Sequence, residues 1–154
     1  MKLHAQVQSI LCNNAHKEIV FNAVVQNQAA KEYLVEHLKE EICEELLNFI
    51  EEVNLLVGLT VQNENVVRAF KSIFDTYLSA DAPKELNVSD KVLRPLKNAV
   101  VNESTNTSKH IEMLKDISET IRNLLLSDVF PRFVSSARFS RVVKHIPSAL
   151  EHFQ

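Results

Sequence analysis

The sequence predicts an all-α fold of about nine helices. Two observations carry that expectation. Apolar residues recur at helical spacing along most of the chain. The clearest set is Val66, Phe70, Ile73, Phe74 and Tyr77, which follow i, i+4, i+7, i+8, i+11. Glycine occurs once, at Gly58, and there are four prolines. Turns that need positive φ must therefore be few, which argues against a hairpin-rich β protein. With 154 residues, 45% hydrophobic and 24% charged, the chain reads as one domain able to bury a real core.

Taken in order, Ala5 to Leu11 reads as a short helix ended by Asn13-Asn14. His16 to Val25 forms a second, with Ile19, Val20, Ala23 and Val24 on one side, broken at Gln26-Asn27-Gln28. A third begins near Ala29 and carries Ala30, Leu34 and Leu38. Glu40-Glu41 leads through Ile42-Cys43 into a fourth, whose apolar face is Leu46, Leu47, Phe49, Ile50, Val53 and Leu56. Gly58 to Thr60 closes it. The fifth runs from about Asn63 to Ser79 and stops at Ala82-Pro83. Lys84 to Asp90 reads as an ordered polar loop, with Ser89 and Asp90 available as caps. Pro95 is placed in the first turn of a sixth helix. Asn102 to Ser108 is a surface loop. A seventh and an eighth helix share the stretch Glu119 to Phe133, and Ala137 to His145 forms a ninth, ended before Pro147.

Composition excludes several functions. The net charge of −3, without a lysine-rich block, gives no support for nucleic-acid binding. No stretch is long and apolar enough to span a bilayer, and the first residues lack the pattern of a signal peptide. A cytoplasmic chain is expected, so Cys12 and Cys43 should be free thiols, and the glycosylation-like triplets at Asn87, Asn102 and Asn106 idle. The sequence has no Gly-rich phosphate loop, no G-x-S-x-G and no H-E-x-x-H. His145 and His152 stand seven apart by helical coincidence, and His37 reads as a packed histidine beside an apolar stripe. The acid runs Glu40-Glu41 and Glu44-Glu45 read as solvated helix faces. No enzyme, metal or cofactor is expected.

The stretch Glu119 to Phe133, ETIRNLLLSDVFPRF, sets Asp128 and Arg132 four apart beside an apolar surface. Such a pair is either an internal strut or part of a binding site. Three stretches resemble the regulator of G-protein signalling (RGS) family. Glu41-Ile-Cys-Glu-Glu-Leu-Leu-Asn-Phe is similar to the family's E-x-S-E-E-N-x-x-F segment. Ala82-Pro-Lys-Glu-Leu-Asn-Val-Ser resembles its A-P-x-E-(I/V)-N-(I/L)-D loop. Leu124-Leu-Leu-Ser-Asp-Val-Phe-Pro-Arg-Phe resembles its L-M-x-x-D-S-Y-P-R-F segment. The resemblance is clearest over 21–145, within a single RGS-like domain taken as 1–154.

The resemblance implies a non-enzymatic partner that binds the GTP-loaded α subunit of a heterotrimeric G protein. It would favour the transition-state conformation of the switch regions, with no catalytic group of its own. The runner-up is an RGS-homology domain that binds or scaffolds with little activation. Recruitment to the inner face of the plasma membrane through the partner follows from the same resemblance. Position by position, it points to Glu41, Glu45, Leu46, Asn87, Leu124, Asp128 and Arg132 as the α-subunit-binding set. Within that set Asn87, Asp128 and the face near Glu45 and Leu46 are expected to converge, with Arg132 holding Asp128. Leu46 departs from the family, which has asparagine there. Val129 and Ser89 replace a serine and an aspartate, and Ile50 a tryptophan. Without the resemblance, Asn87 reads as a cap of its own loop and Leu46 as core.

Overall fold

The computed structural model describes residues 2–59, 64–102 and 105–153, and only the backbone of Glu64 and His152. Every regular element among the described residues is helical. The helices are α1 (Lys2–Leu11), α2 (Asn14–Gln26), α3 (Gln28–Glu40), α4 (Glu44–Val57) and α5 (Glu64–Ile73). They continue with α6 (Asp90–Asn102), α7 (Thr107–Leu124), α8 (Phe130–Val134), α9 (Phe139–Val142) and α10 (Pro147–Leu150). A π turn, Phe74–Leu78, extends α5, and a second, Leu125–Val129, joins α7 to α8 without a break. Counting that joined rod once gives nine helices among the described residues, as expected. The expected start of the fifth helix at Asn63, Thr60, the 103–104 part of the polar loop and the side chain of His152 lie outside the described residues.

The chain forms two compact units. One comprises Met1–Glu44 and Asn123–Gln154, the other Glu45–Arg122. In the first, the polar breaks read from the sequence serve as caps. Asn13 Oδ1 accepts from the backbone amides of Ala15 and His16 at 2.8 and 3.3 Å, starting α2. Asn27 Oδ1 accepts from Ala30 N at 2.9 Å, starting α3, while its Nδ2 donates to His145 O at 3.1 Å. The core of this unit gathers Val20, Phe21 and Val24 of α2, Leu34 and Leu38 of α3, and Phe130, Phe133 and Phe139. The aromatic rings meet edge-on, Phe21 with Phe130 at 5.4 Å and Phe133 with Phe139 at 5.9 Å. The helical run through α9 ends at His145, before Pro147 as expected, and Pro147 then opens α10 in its first turn, where a missing N–H costs nothing.

In the second unit α4 buries Leu47, Phe49, Ile50, Val53 and Leu56, the face expected of it. Phe70 stacks on His110 of α7 at 5.7 Å, and Phe49 meets Tyr77 edge-on at 5.5 Å. Burial, with Glu52 beside it, pushes the Tyr77 hydroxyl above its ordinary range. Within the first π turn Ser79 N donates to Phe74 O at 2.9 Å, an i to i−5 bond. The wider turn buries the neighbours Tyr77 and Leu78 together and leaves Phe74 half-buried rather than in the core. The loop after it is ordered as expected. Lys84 N and Leu86 N donate to Thr76 O and Tyr77 O at 3.0 and 3.2 Å.

Pro95 corrects a boundary. α6 starts at Asp90, capped by Ser89, whose Oγ accepts from Lys91 N at 3.3 Å. Pro95 therefore lies inside the helix rather than in its first turn, and α6 forgoes the bond that would reach back four residues. Its ring is exposed, so the distortion falls on the wet side of α6.

Candidate functional site

The second π turn buries Leu125 and Val129 and turns Leu124, Ser127 and Asp128 outward. Phe130 N closes it on Leu125 O, and Pro131 follows in the first turn of α8. One turn beyond Asp128, Arg132 Nη1 donates to Asp128 Oδ1 at 2.5 Å. Nε and Nη2 of the same guanidinium donate to Glu41 Oε1 at 3.0 and 2.6 Å. One planar fork thus holds two carboxylates from distant parts of the chain. The Arg132 bond holds the Asp128 carboxyl below its usual range, and does the same for Glu41. Asp128 first, then Glu41, push the guanidinium further up. Among the described residues, Oδ2 of Asp128 makes no hydrogen bond.

Two sequence expectations change here. As an internal strut the Asp128–Arg132 pair would be buried, but the Asp128 side chain is 67% exposed. Solvent screens such a pair, so losing it costs the fold little. The run Glu40-Glu41 is also more than a solvated face. Glu40 Oε2 accepts from Arg138 Nη1 at 2.9 Å, a bond that holds its carboxyl low, and Glu41 belongs to the Arg132 fork.

Glu41 is positioned by the way α3 ends. Cys43 N donates back to Leu38 O at 3.0 Å and Ile42 N to Lys39 O at 3.1 Å, the paired bonds of a Schellman turn. That turn needs a left-handed residue, and Ile42 supplies it at φ 56°, with 81% of its surface exposed. Glycine is the usual residue there, and a branched side chain is strained. Gly58 does not take a positive φ; Ile42 and Asp81 do. The sequence carries no signal for Ile42, because the residue type contradicts the conformation.

His37, one turn before Glu41, is packed as expected, with its ring edge-on to Phe133 at 5.5 Å. Its Nε2 also lies against Glu41 Oε2, in ion-pair range but off the hydrogen-bond direction. The i, i+4 spacing of His37 and Glu41 was the one sequence signal for that contact.

The other sequence-derived positions belong to the second unit, apart from Leu124, which is exposed at the end of α7. Glu45 and Leu46 open α4, and both are half-buried. Leu46 is thus not a core residue, unlike Leu47 beside it. Ile50, at the position of the family's tryptophan, is buried in α4. Asn87 is exposed, and among the described residues its side chain makes no hydrogen bond, so it does not cap its own loop. Neither Cys12 nor Cys43 is in a disulfide. Among the described residues no cluster of His, Cys, Asp or Glu could hold a metal ion, and no helix is long and apolar enough to cross a membrane.

Comparison with known proteins agrees with the motif reading. The model of the regulator of G protein signaling domain matches residues 20–142. The chain is 27% identical over 123 residues to regulator of G-protein signaling rgs-3 of Caenorhabditis elegans. That alignment takes in 80% of this chain and 31% of the relative, so the chain spans less than a third of its relative's length. With α3 to α9 and the Asp128–Arg132 segment inside the matched region, the chain belongs to the regulator of G protein signaling (RGS) family.

Proposed function

We propose that the chain acts as a single RGS domain that binds the GTP-loaded α subunit of a heterotrimeric G protein and accelerates its GTP hydrolysis. It does so by favouring the transition-state conformation of the switch regions and contributes no catalytic group. The observation that carries this reading is Asp128, an exposed carboxylate fixed through Oδ1 by Arg132 and open at Oδ2. A carboxylate fixed in advance can accept a hydrogen bond from a partner's backbone amide without first losing side-chain freedom. Glu41, Glu45, Leu46, Asn87 and Leu124 complete the proposed contact set, on the strength of the family match. The α subunit brings its own arginine, so holding mobile switch segments in one arrangement is enough to lower the barrier. The domain works in the cytoplasm and reaches the inner face of the plasma membrane with its partner.

The nucleotide state of the partner tests this reading. Capture should be strongest for α subunits carrying GDP with aluminium fluoride, which mimics the transition state. Equal capture of the GDP, GTP-analogue and fluoride forms would remove transition-state binding.

Leu46 favours a second reading, in which the domain binds but activates weakly. Against polar switch atoms, leucine can neither donate nor accept. Each polar group left buried and unpaired costs roughly 1–3 kcal/mol, or about one to two powers of ten in rate when the loss is confined to the transition state. Leu46→Asn should therefore raise single-turnover GTP hydrolysis by about tenfold or more. A half-buried leucine contributes only about 1 kcal/mol to the fold, so the variant should still fold. A native domain that activates strongly and is damaged by Leu46→Asn would point to a partner with an apolar complement at this position.

A further inference from the structure

We infer that His37 is a positioning residue for Asp128, acting through Glu41 and Arg132; the inference rests on the reading of Asp128 as a partner-facing carboxylate. The four side chains form a series from inside to outside. His37 is 8% exposed, and the side chains of Glu41, Arg132 and Asp128 are 24%, 51% and 67% exposed. The ring is the anchored end. Phe133 fixes its plane, and its buried Nε2 has no aligned hydrogen-bond partner, facing only Glu41 Oε2.

A buried ring nitrogen in that position gains nothing from packing alone. A phenyl group would fill the same space beside Phe133 without burying a polar atom. What the nitrogen adds is an ion-pair-range contact with the second oxygen of Glu41. The terminal torsion of a glutamate is soft, so a carboxylate held at Oε1 alone can swivel. Held at Oε1 by the guanidinium and drawn at Oε2 by the ring, it keeps one orientation. Arg132 then has two of its donors fixed, and Nη1 is left pointing at Asp128.

The test compares His37→Phe, which keeps the ring packing, with His37→Gln, which keeps a polar amide near the Nε2 position. Affinity is measured for an α subunit carrying GDP and aluminium fluoride. His37→Phe should lose roughly tenfold in affinity, and His37→Gln should stay within about threefold of the native chain. Native-like binding by His37→Phe, or a loss in His37→Gln as large as that in His37→Phe, would overturn the inference. If the native chain binds no α subunit, the functional reading falls, and His37 is judged on the free domain by NMR. There the Arg132 Nε–H resonance should move in His37→Phe and stay near its native position in His37→Gln. A resonance that moves alike in both variants, or in neither, overturns the positioning role.

Discussion

A branched side chain in the left-handed region carries strain of about 1–2 kcal/mol, and Ile42 bears it in the turn that delivers Glu41. Its side chain is exposed, so no packing in the fold compensates. Ile42→Gly should raise stability by about 1 kcal/mol, less the greater freedom glycine has when unfolded. Urea unfolding reads this as a higher midpoint at unchanged slope; an unchanged midpoint would mean that the turn relaxes without help. Single residues were unevenly legible in the sequence. Asp128 and Arg132 announced themselves by spacing and motif, since a pair four apart on a helix must meet. Ile42 did not, and the contact of His37 with Glu41 had its spacing but no motif to mark it. One depends on a backbone angle that the residue type disfavours, the other on how a carboxylate turns.

At the scale of elements, α5 and its π turn show what periodicity tells and omits. Val66, Phe70 and Ile73 are buried as the stripe requires. Beyond Ile73 the wider turn shifts the phase, so Tyr77 and Leu78 are both inside and Phe74 is not. No pattern of apolar residues marks that change, because neighbours such as Tyr77 and Leu78 fit either geometry. Phe70 is a full core residue between Phe74 and His110. Phe70→Ala should cost about 3–5 kcal/mol. Thermal unfolding is the check, and a melting temperature that does not move would remove Phe70 from the core. Helix existence was legible throughout, since apolar spacing and scarce glycine leave few alternatives. Helix ends were less so: Asp90 rather than Pro95 sets the start of α6, because a helix accepts an exposed proline when the rest of its face packs.

Across the molecule, three carboxyls that arginines hold, those of Glu40, Glu41 and Asp128, lie below their ordinary range. Their folded values lie below the unfolded ones, so the unfolded chain binds more protons as acid is added. The stabilisation is complete above the ordinary carboxylate range and is lost as pH falls through the folded values beneath it. Glu41→Gln should flatten the stability profile between about pH 5 and 3, and leave the slope above pH 5 unchanged. Unfolding followed across that range decides it; a variant as acid-sensitive as the native chain would place the sensitivity elsewhere. These long-range pairs were the least legible feature, for Arg132 and Glu41 stand 91 residues apart and only the family pattern suggested that both matter.

That separation also orders events in time. Glu45–Arg122 is one uninterrupted stretch, whereas the other unit takes its parts from both sides of it. A chain emerging from the ribosome can close the continuous stretch as soon as it is out. Helices α1 to α3 must wait for Phe130, Phe133 and Phe139 before their core exists. Until then their apolar faces are open to solvent and to wrong partners. Joining the two parts also closes a long loop, which slows that step more than it weakens the product. The Arg132 fork therefore forms late in synthesis, and a ribosome-bound chain that stops short of α8 would present Glu41 without its guanidinium partner.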